Sequence, residues 1–166
     1  MKIRSICVQK KLKRIKNIIC FAFGEDKNTI RENPFNPCPK KNMKHEELTE
    51  QIIKIFYKVY NTLGYGFLEK IYENVMMIEF RKAVIPAESQ SPIRVVYEGE
   101  LVGEHSADII VDKKVIIELK AVKSLIQDHH AQLLNYLKAT DIEVGLLLNF
   151  GPKPEISRKV FDNFRK

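Results

Sequence analysis

The spacing of apolar residues changes along the chain and divides it into predicted elements. Over residues 46–63, apolar side chains recur at three- and four-residue steps, which predicts an amphipathic helix, and the glutamates at its start complement the helix dipole. Gly64 and Gly66 end this helix. The same spacing over residues 67–83 predicts a second helix.

The pattern changes to that of β-structure after a loop bracketed by Pro86 and Pro92. Short turns separate three predicted strands, over residues 93–97, 101–111 and 115–122. A helix, a buried strand and a terminal helix follow, over residues 128–139, 142–148 and 156–164. Three strands joined by turns, and a fourth reached through a helix, predict an α/β fold with a mixed sheet flanked by helices.

The basic residues of the chain are concentrated at its start. The 166 residues hold 28 Lys and Arg against 21 Asp and Glu, which gives a net charge of +7. Residues 1–42 hold 11 of the basic and 3 of the acidic residues, so the remaining 124 residues have a net charge of −1. The overall charge is therefore no evidence of a basic surface on the body of the protein.

Residues 1–43 are predicted to be a basic extension outside the core, and residues 44–166 to be the folded domain. Residues 10–23 predict at most a short basic amphipathic helix, able to touch RNA or an anionic membrane, or else a loosely attached tail. Residues 24–42 contain three prolines and predict a linker. Met43 is the expected start of the domain or of the natural chain.

All three cysteines, Cys7, Cys20 and Cys38, lie in this extension. With His45 they offer four zinc ligands, but their spacing matches no common zinc motif, so free thiols in a reducing compartment are favoured. No apolar run approaches the ~20 residues of a membrane-spanning helix, and no signal peptide is recognisable. We therefore expect a cytoplasmic protein.

Two predicted strands contain charged residues within apolar sequence: Asp108, Glu118 and Lys120. A three-residue turn at residues 112–114 would place Asp108 opposite Glu118, and strand alternation would place Lys120 on the same face. A two-residue turn would send the two carboxylates to opposite faces, so the convergence of these groups depends on the register.

Two interpretations of this cluster are open. Facing carboxylates in apolar strands repel each other unless a cation lies between them, and Mg²⁺ takes such oxygen ligands while leaving room for a substrate phosphate. Lys120 would then stabilise hydroxide or a phosphoryl oxygen. In the second interpretation Lys120 forms a cross-strand ion pair with one of the acids, and the cluster is structural.

Two predicted helices present polar residues at spacings that share a face. These are Glu69, Tyr72 and Glu73 on the second helix, and His129, Gln132 and Tyr136 on the third. Each set by itself is typical of a polar helix edge. His105 is expected to point away from Asp108, because the two residues are an odd number of positions apart in one strand.

Five short segments match a known pattern in the expected order. They are Gly66-Phe67-Leu68-Glu69-Lys70-Ile71-Tyr72, Ala107-Asp108, Glu118-Leu119-Lys120, Gln132-Leu133-Leu134-Asn135-Tyr136 and Leu148-Asn149-Phe150-Gly151. Over residues 44–151 the chain resembles the GxxExxY proteins, a prokaryotic family placed in the PD-(D/E)XK nuclease-like superfamily. Ala107 departs from the pattern by replacing a proline, and Tyr60 stands where many relatives have His.

The resemblance implies a restriction-endonuclease-like αβββαβ core, in agreement with the predicted elements. It implies that Asp108, Glu118 and the Leu119 carbonyl bind Mg²⁺, with Mn²⁺ as a substitute, and that Glu69 joins the metal shell. Lys120 would orient or activate the attacking water. Glu69, Asp108, Glu118 and Lys120 are therefore the candidate catalytic residues.

The resemblance further implies that Gln132 and Tyr136 hold the substrate and support the site, and Tyr72 and His129 are additional candidates for this role. A Mg²⁺-dependent nuclease acting on DNA or RNA is the leading hypothesis. The alternatives are an inactive nucleic-acid-binding or protein-interaction module, and a metal-dependent hydrolase of a small phosphorylated substrate. Nucleic acid is the expected partner and a membrane is not, while a homodimer or an unidentified protein partner is left open.

Overall fold

Residues 43–165 are described by the computed structural model, and the predictions made for residues 1–42 lie outside them. In the described part, three helices, α1 to α3, span Glu46–Leu63, Glu69–Lys82 and Gln127–Ala139. Five strands, β1 to β5, span Ala87–Tyr97, Glu100–Val111, Val115–Lys120, Val144–Asn149 and Glu155–Val160. A short 3₁₀ turn, Asn163–Arg165, follows β5. None of these helices has the length and apolar character that a bilayer crossing requires.

The strands form one sheet in the order β1-β2-β3-β4-β5. β3 and β4 are parallel, because α3 returns the chain to the starting edge, and the other neighbouring pairs are antiparallel. α1 and α2 pack on one face of the sheet and α3 packs on the other. The predicted α/β fold, a mixed sheet flanked by helices, is confirmed.

Each face of the sheet has its own hydrophobic core. Phe56, Tyr72 and Phe80 belong to the core under α1 and α2, and Leu133 and Leu137 belong to the core under α3; all five are fully buried. Burial on both faces explains why β3 and β4 are almost continuously apolar in sequence. A charged residue inside β3 is therefore exceptional and needs a reason.

Residues 112–114 form the three-residue turn on which the predicted register depends. Val111 pairs with Val115, and pairing continues as far as Ile109 with Ile117. The predicted register of β2 against β3 is therefore confirmed as far as this pair.

The terminal helix predicted over residues 156–164 is wrong, because Glu155–Val160 forms β5. The four-residue spacing of Ile156, Val160 and Phe164 imitates a helix. β4 nevertheless offers backbone hydrogen-bond partners to a neighbouring strand along its whole length. A segment this short gains more from such pairing than from two turns of isolated helix, which are marginal in water.

The loop predicted between Pro86 and Pro92 is also wrong, because β1 begins at Ala87. Pro92 lies within the strand, in register with Ser106. β1 is an edge strand of the sheet, and a proline is tolerated there because its missing N–H can face away from the ladder. The other predicted element boundaries agree with the structure to within two residues.

Candidate active site

Asp108 lies where β2 and β3 stop pairing. The last paired residues are Ile109 and Ile117. One residue further, a carboxylate oxygen of Asp108 accepts a hydrogen bond from the backbone N–H of Leu119 at 2.7 Å. The side chain therefore takes the place of a strand partner, and this fixes the carboxylate at the point where the strands separate.

The ladder between β1 and β2 is interrupted at the same place. Ser89 pairs with Ile109 and Ser91 pairs with Ala107, whereas Gln90, which lies between them with φ of 54°, makes no such pair. Ala107 packs in the core under α3, while Ile109 packs in the core under α1 and α2. Side chains of β2 therefore do not alternate strictly between the two faces of the sheet at Asp108. The charged groups lie together at this irregular position.

Glu118 is a buried acid with one unpartnered oxygen. It is 2% exposed, and its Oε1 accepts a hydrogen bond from Lys120 Nζ at 2.7 Å. Its Oε2 is buried and has no hydrogen-bond partner. Burial, reinforced by the negative charge of Asp108, raises the pKa of Glu118 to about 7. A carboxylate in these surroundings is poorly satisfied by the protein alone.

The neighbouring charges respond to the same environment. Burial raises the pKa of Asp108, against the hydrogen bond from Leu119 and the charge of Lys120. Burial by itself would lower the pKa of Lys120, but the hydrogen bond to Glu118 and the charges of the nearby acids raise it. Lys120 is therefore an ammonium group held among carboxylates.

Glu69 approaches these groups from the first turn of α2. Its Oε1 accepts a hydrogen bond from the backbone N–H of Ala121 at 3.1 Å, at the end of β3. Its charge contributes to the raised pKa of Asp108 and of Glu118. The structure thus brings together Asp108, Glu118, Lys120 and Glu69 from β2, β3 and α2.

Tyr72 is fully buried and acts on the loop that precedes α2. Its hydroxyl donates a hydrogen bond to the Gly64 carbonyl at 3.0 Å and accepts one from the Phe67 N–H at 3.3 Å. Its ring stacks on Phe150, with centroids 4.1 Å apart and planes 9° apart. This gives the G-x-x-E-x-x-Y spacing a physical reason, because the tyrosine fixes the loop that positions Glu69.

The predicted residues of α3 have two different roles. Gln132 Nε2 donates a hydrogen bond to the Tyr136 hydroxyl at 2.8 Å. Burial raises the pKa of this hydroxyl, and the charges of Asp108 and Glu118 add to the effect. His129 instead accepts a hydrogen bond from the Ile126 N–H through Nδ1 at 3.3 Å, so it caps the start of α3. Gln132 and Tyr136 thus border the acidic cluster.

Three residues near the site have structural roles that sequence reasoning did not assign. Glu73 is 3% exposed and accepts hydrogen bonds from Lys70 and from Gln90, the residue at the ladder break. The buried amide of Asn149 bonds both the N–H and the carbonyl of Val122, each at 3.0 Å. A Cβ atom on Gly151 would lie 1.9 Å from that carbonyl oxygen.

The donor set fits a divalent cation. Two carboxylates with raised pKa values, Asp108 and Glu118, lie together, and the buried Oε2 of Glu118 lacks a donor. Within residues 43–165, no three acidic, His or Cys side chains are grouped closely enough to hold an ion by themselves. Mg²⁺ does not require such a group, because it is usually bound by one or two carboxylates and keeps several waters.

Comparison with known proteins relates the chain to one family. A family model described as the PD-(D/E)XK nuclease superfamily matches residues 46–159, a range that contains all the acidic and lysine residues of the site. The crystal structure of SSO0001 is 21% identical, covering 98% of this chain and 79% of that one with a TM-score of 0.47. No curated protein matches. The chain belongs to the PD-(D/E)XK nuclease superfamily.

Proposed function

We propose that this chain is a Mg²⁺-dependent nuclease that hydrolyses phosphodiester bonds of DNA or RNA. The proposal rests on the buried, partly unpartnered carboxylate of Glu118 beside Asp108 and Lys120. A buried acid next to a second, partly buried acid destabilises a fold unless a cation or a proton neutralises the pair. Dependence on a divalent metal is typical of the superfamily, which makes a cation the favoured interpretation over a structural ion pair.

Asp108, Glu118 and the Leu119 carbonyl would hold the ion, with Glu69 at the rim. The ion would act as a Lewis acid that stabilises the charge developing on the phosphoryl oxygens. Lys120 would donate hydrogen bonds that orient the attacking water or hold a phosphoryl oxygen. Attack of water at phosphorus breaks one P–O bond and leaves a phosphate monoester and a free hydroxyl.

We also infer membership of the narrower GxxExxY family. Its support is the order of the five matching segments and the role of Tyr72, which fixes the loop before Glu69. A cytoplasmic location and nucleic acid as the partner are part of the same proposal.

Metal binding is tested by thermal unfolding of the full chain with and without Mg²⁺ or Mn²⁺. We expect either ion to raise the melting temperature, because ligands that bind only the folded state stabilise it. Asp108→Asn keeps an oxygen for the Leu119 hydrogen bond but removes the charge, so the stabilisation should disappear. Asp141→Asn, at an exposed acid, is the matched control and should behave as the parent protein.

Catalysis is tested by incubating labelled single- and double-stranded DNA and RNA with the full chain and Mg²⁺. We expect cleavage that EDTA, Glu118→Gln or Lys120→Ala abolishes. Metal-dependent stabilisation without cleavage of any nucleic acid would support the inactive module or the small-substrate hydrolase instead. Unchanged cleavage in both variants would contradict the assigned site.

A further inference from the structure

A groove lies between α3 and the β1–β2 hairpin, beside the candidate active site. Its volume is about 680 Å³, which is within the range of small-ligand sites. Gln132 and Tyr136, the hydrogen-bonded pair of α3, line one side of it. Tyr136 packs in the same core as Ala107, the residue before Asp108. The charges of Asp108 and Glu118 also act on the Tyr136 hydroxyl, so the groove adjoins the acidic cluster.

The groove is lined by rings and amides. His105, from β2, faces Tyr136 with ring centroids 5.8 Å apart and planes at 43°. Gln132 and Asn135 place two side-chain amides one helical turn apart. Aromatic rings stack on the faces of nucleobases, and a side-chain amide matches the donor and acceptor pair on a base edge. These groups are therefore suited to binding a base.

The charges of the groove favour a base over a phosphate. Asp128 and Lys138, the charged residues of its lining, have opposite signs. The 124 residues that follow residue 42 have a net charge of −1. A surface that follows the phosphates of a nucleic acid needs a basic surplus, and the lining of this groove has none. A base that is paired and stacked inside a duplex also cannot present its edge and face to a groove.

We propose that this groove binds one unpaired nucleobase next to the scissile phosphodiester, so that the substrate is single-stranded DNA or RNA. His105 provides a stacking surface and Asn135 hydrogen bonds to the base edge. This inference rests on the proposed nuclease function and adds the class of substrate to it. His105 and Asn135 are both exposed, so substitutions there leave the core intact.

The test is a binding measurement in EDTA, which removes the contribution of cleavage. Fluorescence anisotropy measures the affinity of the full chain for each of several labelled ligands: single-stranded DNA, single-stranded RNA, the matching duplexes and a single strand with abasic sites. We expect binding to intact single strands to exceed binding to the other ligands. The comparison of single-stranded DNA with single-stranded RNA identifies which of the two the groove binds.

Substitutions in the groove identify the residues responsible. His105→Ala should weaken single-strand binding about fivefold or more, as the loss of one stacked base does, and His105→Phe should restore it. Asn135→Ala should also weaken binding, whereas Asn74→Ala, at an exposed asparagine of α2, should not. Every variant retains residues 1–42, so any contribution of this basic segment is the same in all comparisons.

Equal affinity for duplex and single strand, or for abasic and intact strands, would overturn the inference. The same holds if His105→Ala and Asn135→Ala bind as the parent protein does. Mg²⁺-dependent cleavage could persist in either case, and the nuclease proposal would then stand without this groove. Base-dependent binding without any cleavage would support the groove and contradict the nuclease proposal.

Discussion

Glu118→Gln is expected to stabilise the metal-free protein at alkaline pH. Glu118 is 2% exposed and its Oε2 has no hydrogen-bond partner, so the ionised side chain is poorly solvated in the fold. Glutamine has nearly the same shape and no charge, and its amide oxygen can still accept the hydrogen bond from Lys120. The substitution thus removes a destabilising charge while keeping the packing.

The magnitude of the stabilisation follows from the pKa of Glu118, which is about 7 in the folded protein against 4.5 for an unperturbed glutamate. Because the folded value is the higher one, the destabilisation is absent below pH 4.5, grows as pH rises to 7 and is constant above that. A pKa difference of about 2.5 corresponds to about 3 kcal/mol. The weaker contact of Lys120 with a neutral amide offsets part of it, so we expect a gain of about 1–3 kcal/mol at pH 8.

The assay is urea denaturation of the full chain followed by circular dichroism, in EDTA at acidic and alkaline pH. The gain should shrink to well under about 1 kcal/mol near pH 4.5, because Glu118 is then protonated in the folded state and about half protonated in the unfolded state. Glu88→Gln, at an exposed glutamate of β1, should change stability by less than about 0.5 kcal/mol at either pH. A variant less stable than the parent at pH 8, or an equal gain at both pH values, would refute the reasoning.

Three further predictions concern the structure around the site. Gly151→Ala should destabilise the protein by about 2 kcal/mol or more in urea denaturation, because the added Cβ would lie 1.9 Å from the Val122 carbonyl oxygen, whereas Gly103→Ala, with open space around it, should not. Tyr72→Phe should lower the free energy of unfolding by about 1–2 kcal/mol, because it removes a buried hydroxyl that makes two hydrogen bonds. Cleavage assays of this variant should show a loss of activity at temperatures where it stays folded. A chain that begins at residue 43 should unfold at the same temperature as the full chain; aggregation or early melting would show that residues 1–42 stabilise the domain.

The local pattern of the sequence predicted the helices and most strands because periodicity reports which side of an element is buried. Its failures were at β1 and β5, the two edge strands. There Pro92 and the helix-like spacing of Ile156 and Val160 were overridden by the backbone hydrogen bonds that a neighbouring strand offers. Edge pairing depends on residues distant in the chain, so a single segment contains little information about it.

The sequence by itself predicted the three-residue turn at residues 112–114 and the pairing of β2 with β3 as far as Ile109 and Ile117, because the turn length sets the register of the strands that it joins. The meeting of Asp108 with Glu118 depends on the failure of β2 alternation at Asp108, which the local pattern did not predict. Only the tertiary structure decided that Glu118 is buried with one oxygen unpartnered, since its burial depends on the packing of other elements around the end of β3. The tertiary structure also decided that Tyr72 is buried and holds the loop before α2, and that the ring of His105 lies next to the ring of Tyr136. The exposure of a side chain, its pKa and the presence of a groove depend on how separate elements pack together. The periodicity of residues within one element therefore does not predict them.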